Sequence, residues 1–298
     1  MESPYHYRAF GLNVLSDFEV PFWGPGSAPW DARIVRGIVP AEPPAGEDLW
    51  HGVFRGGVGR GWFNFPGVMR VIVEAGERIV VEPAPDANPA WLTNALAGTV
   101  SSALLYQRGG LCLHASAVSW QGRAYLVMGP SGAGKSTTAS ALLARGCEFI
   151  SDDITVVTAG ANGEFFATAS FPAMRLREDS HDELGDELDA TRVFDASDDK
   201  FRLNYGGAVA TRPVPIARIC FLERDETLRL PRRTPLTGHE RVSALQRSFF
   251  RRRMAKIVTD PVRLATVSIA LAQAVDVVRL SRPVDGFALD ELCQLVLE

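Results

Sequence analysis

Cysteines are few and scattered in this sequence. Four occur among 298 residues, and none of them stands in a CxxC pair or at a matching distance from a histidine. Disulfide frameworks and thiolate zinc sites both need regular spacing, so neither is expected. We expect buried core thiols in a reducing cytoplasm instead. The four residues are Cys112, Cys147, Cys220 and Cys293.

Long hydrophobic runs and an excess of charge are also missing. The apolar stretches at residues 95–106 and 264–278 are interrupted by polar residues, and they are shorter than the roughly 20 residues that span a bilayer. A net charge of −4 provides no general attraction to nucleic acid or anionic lipid. The first residues lack the basic and apolar segments of a secretory signal. We therefore expect a cytoplasmic protein without a nucleic-acid or membrane partner, and the oligomeric state stays open.

The first part of the chain has a β-type pattern. Residues 1–86 contain short β-type runs between clusters of Pro, Gly and Asp, which predicts a small mostly-β N-terminal domain. A hairpin is predicted at residues 68–82, with its turn at residues 75–77. Three prolines within residues 83–89 favour a linker. We place the domain boundary there, so that residues 87–298 form the second domain.

The second domain alternates helical and strand patterns, which predicts an α/β layer structure. Strands are predicted at residues 111–118 and 124–128, and a helix is predicted at residues 138–144. A short glycine-rich segment joins the second strand to this helix. Strand, glycine loop and helix in this order are the context that a phosphate-binding loop requires.

The glycine-rich segment at residues 129–136 matches G-x-x-x-x-G-K-[ST] in full. Small residues let successive backbone N–H groups surround phosphate oxygens, and the following helix adds its positive N-terminal end. Lys135 can reach the β- and γ-phosphates, and the Ser136 hydroxyl suits Mg²⁺. The pattern predicts binding of ATP and Mg²⁺; the alternative is a glycine-rich turn with an ordinary surface lysine. The predicted nucleotide contacts are Gly129, Ser131, Gly132, Ala133, Gly134, Lys135, Ser136 and Thr137.

Phosphoryl transfer also needs a carboxylate for the metal and a group that activates the acceptor. Asp152 and Asp153 follow a short apolar strand soon after the predicted loop helix. If that strand is a parallel neighbour of the loop strand, both acids reach the sheet edge that holds the phosphates. Adjacent residues in a strand face opposite sides, which favours different roles for them. The alternative is a solvated turn, because Ser-Asp-Asp is also good turn chemistry.

A histidine, His114, lies in the apolar strand that precedes the loop strand. Taken alone, it is better explained as a buried structural histidine. Its place beside the loop strand favours a role in the site, and so does the family resemblance of the surrounding motifs.

The order of these motifs resembles the bacterial HPr serine kinase/phosphorylase family. The resemblance implies an α/β fold with a P-loop kinase domain of the HPr-kinase/phosphoenolpyruvate-carboxykinase type. It also implies that Asp152 is the catalytic base, that Asp153 and Ser136 serve Mg²⁺, and that His114 sits beside the transferring phosphate. The motifs cover about 40 residues and comprise residues 114–118, residues 121–123, the complete loop, Arg145-Gly146 and residues 151–153.

Two departures from the family pattern indicate a subgroup. Thr137 stands where family kinases typically have Glu, and residues 171–176 lack the glycine-rich signature associated with the reverse, phosphorolytic activity. The chain is more similar to divergent HPr-kinase-like proteins of ribosomal-peptide pathways, including lasso-peptide precursor kinases. Residues 7–12 also resemble the N-terminal β module of those proteins. This implies a peptide or small-protein acceptor, with the C-terminal serine of a precursor as one candidate.

Two groups of basic residues are candidates for phosphate or acceptor contacts. Lys200 and Arg202 follow a highly charged segment, and the alternative for them is a solvated loop. The second group could meet an acidic peptide or a carboxyl terminus, although charges on a helix more often form its solvated face. Its members are Arg247, Arg251, Arg252, Arg253 and Lys256.

The predicted function is therefore a P-loop serine kinase that acts on a peptide or small protein. Two alternatives remain open. One is a small-molecule kinase built on the same site, and the other is a nucleotide-gated regulatory ATPase without a phosphoryl acceptor.

Overall fold

The chain folds into two compact units. The computed structural model describes residues 5–43, 48–50, 53–177, 193–195, 200–284, 286 and 288–298. The first unit comprises Met1–Cys112 and Phe250–Ala265, and the second comprises Leu113–Phe249 and Thr266–Glu298. The boundary expected from the sequence, at residues 86 and 87, lies inside the first unit and stays a prediction about domains.

The strands and helices of the described residues have the following bounds. The strands of the N-terminal part are β1 (Tyr5–Ala9), β2 (Leu12–Ser16), β3 (Gly24–Pro25), β4 (Ala32–Arg36), β5 (Asp48–Trp50), β6 (Phe54–Gly57), β7 (Arg60–Phe65), β8 (Met69–Glu74) and β9 (Arg78–Pro83). The later strands are β10 (Leu111–Leu113), β11 (Ala115–Trp120), β12 (Arg123–Met128), β13 (Glu148–Ser151), β14 (Thr155–Ala159), β15 (Phe165–Thr168), β16 (Ala173–Arg177), β17 (Val193–Asp195), β18 (Lys200–Asn204), β19 (Val214–Asp225), β20 (Arg232–Pro235) and β21 (Asp276–Pro283). The helices are α1 (Pro89–Ala95), α2 (Ser101–Gln107), α3 (Lys135–Leu143), α4 (His239–Arg247), α5 (Arg252–Val258), α6 (Pro261–Ala274) and α7 (Leu289–Leu297), and a π-helical turn (Leu96–Val100) joins α1 to α2.

The first unit is built on one large sheet, which confirms the expected β-rich N-terminal region. Its described strands run in the order β3-β1-β2-β4-β9-β8-β7-β6-β5. The predicted hairpin is present, because β8 and β9 pair antiparallel from Met69↔Pro83 to Glu74↔Arg78. Ala75 and Gly76 both have positive φ, at 51° and 69°. That backbone matches the right-handed twist of the two strands.

A buried tyrosine joins the two chain segments of the first unit. The Tyr106 side chain is 1 % exposed, and its hydroxyl lies 2.7 Å from the Cys112 carbonyl oxygen and 2.9 Å from that of Phe250. Burial raises the pKa of this hydroxyl well above its ordinary value. Tyr106 therefore stays a neutral donor that holds residue 112 against residue 250.

Replacing Tyr106 by Phe is expected to lower the free energy of unfolding by about 0.5–1.5 kcal/mol, because the Phe250 carbonyl loses the Tyr106 hydroxyl while the Cys112 carbonyl keeps the Phe250 backbone N–H as a donor. Urea denaturation of the full chain measures this loss. Tyr125→Phe is the matched control, since the half-buried Tyr125 hydroxyl has no hydrogen bond among the described residues. Equal stability of the two variants would show that the Tyr106 hydroxyl contributes nothing.

The second unit contains a mixed sheet, in agreement with the expected α/β class. Its central strands run in the order β20-β21-β19-β12-β11-β13. The pairs β21/β19 and β19/β12 are parallel, whereas β12/β11 and β11/β13 are antiparallel. One face of this sheet packs against α3 and α7 through a buried cluster that includes Val127, Cys220, Val278, Leu142 and Leu292.

The strand before the two acids is parallel to the loop strand but is not its neighbour. The sequence-based expectation of direct adjacency is wrong, because β11 lies between β12 and β13. Two successive antiparallel pairings still leave β12 and β13 running in the same direction. The carboxyl ends of both strands therefore reach the same edge of the sheet, as the expected site requires.

The four cysteines are free thiols and all of them are buried, as expected from their scattered positions. Burial raises the pKa of the Cys147 thiol to about 11 and that of Cys220 to about 12. In the described part of the chain, no helix has the length and apolar character needed to cross a bilayer.

Candidate active site

The glycine loop connects the end of β12 to the start of α3. Gly129 has φ 149°, and a Cβ atom there would lie 2.2 Å from the Leu222 carbonyl oxygen. Gly134 has φ 105° immediately before the helix, and the Thr138 hydroxyl donates to its carbonyl oxygen at 2.8 Å. The close approach of β19 therefore excludes a side chain at Gly129, and left-handed backbone favours glycine at the end of the loop.

The lysine of the motif folds back over the loop. Lys135 is 8 % exposed, and its Nζ donates to the carbonyl oxygens of Gly129 at 3.1 Å and Pro130 at 3.3 Å. Such bonds hold the ammonium group beside the first residues of the loop. An anion bound at the loop would therefore meet a positive charge that is already in position.

Asp152 accepts hydrogen bonds from hydroxyl groups on two other elements. It is 6 % exposed, and its Oδ1 accepts hydrogen bonds from Ser116 Oγ at 2.5 Å and Ser136 Oγ at 3.1 Å. Ser116 belongs to β11 and Ser136 to the first turn of α3. Ser116 was assigned no role from the sequence. The signal that could have identified it is its place within residues 114–118, the first of the motifs that carry the family resemblance.

Asp153 contacts a different partner. His114 Nδ1 lies 3.2 Å from Asp153 Oδ1 and 3.0 Å from the Asp153 carbonyl oxygen. The continuous strand expected at residues 111–118 breaks at this histidine, whose backbone N–H donates to the Ser248 carbonyl at 2.6 Å. Asp153 itself has φ 71°, a left-handed conformation that Asp tolerates better than most residues.

The two acids differ from the expected strand geometry. Both lie beyond the end of β13, so the expectation that they alternate along a strand is wrong, although they do contact different partners. The hydroxyl of Ser136 donates to Asp152. Among the described residues, no three His, Cys, Asp or Glu side chains gather to hold a metal. A cation here would take few protein ligands, as Mg²⁺ commonly does when phosphates supply the others.

Two arginines that the sequence reasoning missed hold the outer side of the loop. Arg224 of β19 and Arg282 of β21 are paired in the parallel register. Arg282 is 2 % exposed and donates from Nε to the Ala133 carbonyl at 2.9 Å, and Arg224 donates to the Gly132 carbonyl. Burial, and then the charge of Arg224, lower the pKa of Arg282.

These arginines could not be predicted from local sequence, because they are far from the loop along the chain. They lie 92 and 149 residues from their loop partners, and no local motif marks them. The available signal was an arginine two residues after each of two mainly apolar runs, at residues 216–222 and 275–280.

The remaining predicted contacts are not brought to the loop by any described contact. Lys200 and Arg202 lie on β18, whose backbone pairs with β16 and β17, but their side chains are outside the described part of the structure. The basic cluster is divided between the two units: Arg247 belongs to the second, and its other members belong to the first.

Comparison with known proteins links the central region to one family. A family model described as SynChlorMet cassette protein ScmC matches residues 86–183, which is less than half of the chain and includes His114, the loop and both acids. No curated protein matches. Among solved structures, the HPr(Ser) kinase/phosphatase from Coxiella burnetii is similar, with 13 % identity and a TM-score of 0.33, over 62 % of this chain and 87 % of that chain.

Proposed function

We propose that this chain is a P-loop kinase that transfers the γ-phosphoryl group of ATP, with Mg²⁺, to a serine hydroxyl of a peptide or small protein. The observation that supports this most strongly is the hydrogen bond between Ser136 at the end of the loop and Asp152. That contact joins the expected phosphate-binding loop to the expected catalytic acid.

The residues of the loop suit a polyphosphate. Gly129 leaves no space for a side chain against Leu222, and Gly132 and Gly134 supply positive φ at 76° and 105°, as backbone that surrounds phosphate oxygens needs. Lys135 supplies the cation. The remaining loop contacts are Ser131, Ala133 and Thr137.

Mg²⁺ would be held by the Ser136 hydroxyl and one of the two acids, with Asp153 as the assignment implied by the family resemblance. When bound, the ion neutralises charge on the phosphate oxygens. Because Ser136 donates to Asp152, the proposal includes Asp152 as a second carboxylate that could influence the same ion.

In the proposed reaction, Asp152 accepts the proton of the acceptor hydroxyl. The acceptor oxygen forms a bond to the γ-phosphorus as the bond from that phosphorus to the bridging oxygen breaks, and ADP leaves with the electron pair. Two serine hydroxyl groups donate to Oδ1 of Asp152, and the proposal assigns the proton of the acceptor hydroxyl to the same carboxylate. The proposal assigns to His114, which contacts Asp153, a hydrogen bond to the transferring group.

The acceptor is best assigned from the resemblance to the HPr-kinase-like proteins of ribosomal-peptide pathways. It favours a peptide, and the C-terminal serine of a lasso-peptide precursor is the specific candidate. Incubation with γ-labelled ATP tests the class of acceptor: a labelled peptide supports the proposal, a labelled metabolite identifies a small-molecule kinase, and free phosphate alone identifies a regulatory ATPase.

Arg224→Gln is expected to weaken ATP binding about three- to tenfold, because the Gly132 carbonyl loses the guanidinium donor that fixes the backbone of the loop. Isothermal titration with a non-hydrolysable ATP analogue measures the affinity. Arg229→Gln is the matched control: it removes the same charge from the second unit, at an exposed residue that makes no hydrogen bond or ion pair within the described part of the chain. Equal ATP affinities of the two variants would show that Arg224 does not contribute to ATP binding.

A further inference from the structure

A polar cavity lies between α4 and the sheet of the second unit. Its volume is about 240 Å³, and its walls include Phe221, Glu223, Arg279, Ser243 and Arg247. This is below the roughly 300–1,000 Å³ of pockets for drug-sized ligands. The cavity therefore suits one side chain or one terminal group of a larger molecule.

The cavity is located at the edge of the sheet where the glycine loop begins. Phe221 pairs with Met128, the last residue of β12, and the next residue, Leu222, is the one whose carbonyl approaches Gly129. At the other side, Arg247 ends α4 and precedes Ser248, whose carbonyl accepts the His114 backbone N–H at 2.6 Å. One wall of the cavity is thus connected to the histidine that contacts Asp153.

One helix face supplies hydrogen-bond donors to the cavity. His239, Ser243 and Arg247 all line it, and their spacing of four residues places them on the same side of α4. An imidazole N–H, a hydroxyl and a guanidinium can all donate. This row of donors is suited to an anionic group.

The formal charges of the cavity lining cancel, because two arginines face two acids, but both acids are paired with the same arginine. Both acids have a cationic neighbour, since Arg279 lies 3.3 Å from Glu223 and 3.9 Å from Glu240. Arg247 lies over the Phe221 ring, 5.7 Å from its centre, and it has no ion pair in the described part of the chain. A guanidinium held on an aromatic ring is preorganised to bind a carboxylate through two parallel hydrogen bonds.

We propose that this cavity binds a carboxylate of the phosphoryl acceptor, with Arg247 as its anchor. The inference rests on the proposed kinase function and adds the class of acceptor: a peptide that carries a carboxylate near its target serine. Binding of that carboxylate beside α4 would bring the hydroxyl to the edge of the sheet that carries Asp152.

Three synthetic serine peptides of equal length test this inference. The first has a Glu near the serine and an amidated C-terminus, the second has Gln in place of Glu and the same amide, and the third has Gln and a free C-terminal carboxylate. Fluorescence anisotropy of the labelled peptides measures binding to the full chain, with a non-hydrolysable ATP analogue and Mg²⁺ present. Radiolabel transfer is measured in parallel.

We expect at least one carboxylate peptide to bind about tenfold more tightly than the neutral peptide. Arg247→Gln should remove that preference while the affinity for ATP stays unchanged, and Arg229→Gln should retain it. The peptide that shows the preference identifies the carboxylate as a side chain or as the chain terminus.

The outcomes separate the cavity from the kinase function. Equal binding of all three peptides, no binding of any, or a preference that survives in Arg247→Gln would overturn the inference. Transfer to serine without any carboxylate preference would support the kinase function and contradict carboxylate binding in the cavity. Carboxylate-dependent binding without transfer would support carboxylate binding in the cavity and contradict the kinase function.

Discussion

Replacing Lys135 by Ala is expected to reduce ATP-dependent turnover at least about a hundredfold. The side chain is the loop's cation, and its Nζ is held at the carbonyl oxygens of Gly129 and Pro130. Hydrogen bonds from a charged group contribute about 1.5–3 kcal/mol each, and two such bonds to phosphate oxygens correspond to a factor of a hundred or more. Direct titration of ATP and steady-state turnover both measure the loss.

The control for this variant is Arg229→Ala. Arg229 is an exposed cation of the second unit outside the loop, so its removal changes the net charge equally and leaves the loop intact. Thermal unfolding of both variants checks that Lys135→Ala remains folded. If Lys135→Ala bound and consumed ATP like the unsubstituted chain, the loop would not be a nucleotide site.

Local pattern was sufficient to predict the secondary structure around the loop. The glycine motif is contiguous, so a strand ending at Met128 and a helix after the loop follow from adjacent residues. The helix was predicted at residues 138–144, and it begins three residues earlier, at Lys135. The hairpin of β8 and β9 was predictable for the same reason. The backbone preferences of Ala75 and Gly76, and the alternating flanks, act within a few residues.

Contacts between distant segments were predictable only in part. Parallel direction of the strand before Asp152 followed from its place after the loop helix, but the insertion of β11 depends on strand pairing across the sheet. The positions of Arg224 and Arg282 depend on the register of β19 against β21. A shift of one residue would turn both side chains to the other face. The spacing of residues along the sequence does not predict the register between two distant strands.

Replacing Asp152 by Asn is expected to lower phosphoryl transfer about a hundred- to ten-thousandfold, the usual contribution of a general base. Asn has the same size and can still accept from Ser116 and Ser136, so the hydrogen bonds that position the loop helix can persist. It cannot take a proton from the acceptor. ATP affinity should therefore remain within about threefold, while transfer measured with labelled ATP is lost.

Asp153→Asn is the matched partner in this experiment, and the Mg²⁺ dependence distinguishes the two acids. Asp153 contacts His114 and is the proposed Mg²⁺ ligand. Loss of its carboxylate should therefore raise the Mg²⁺ concentration needed for half-maximal activity and leave measurable transfer at saturating Mg²⁺. A raised Mg²⁺ requirement in Asp152→Asn instead would make Asp152 the metal ligand, as its contact with Ser136 allows. Undiminished transfer by Asp152→Asn would move the base elsewhere, and Asp153 would be the next residue to test.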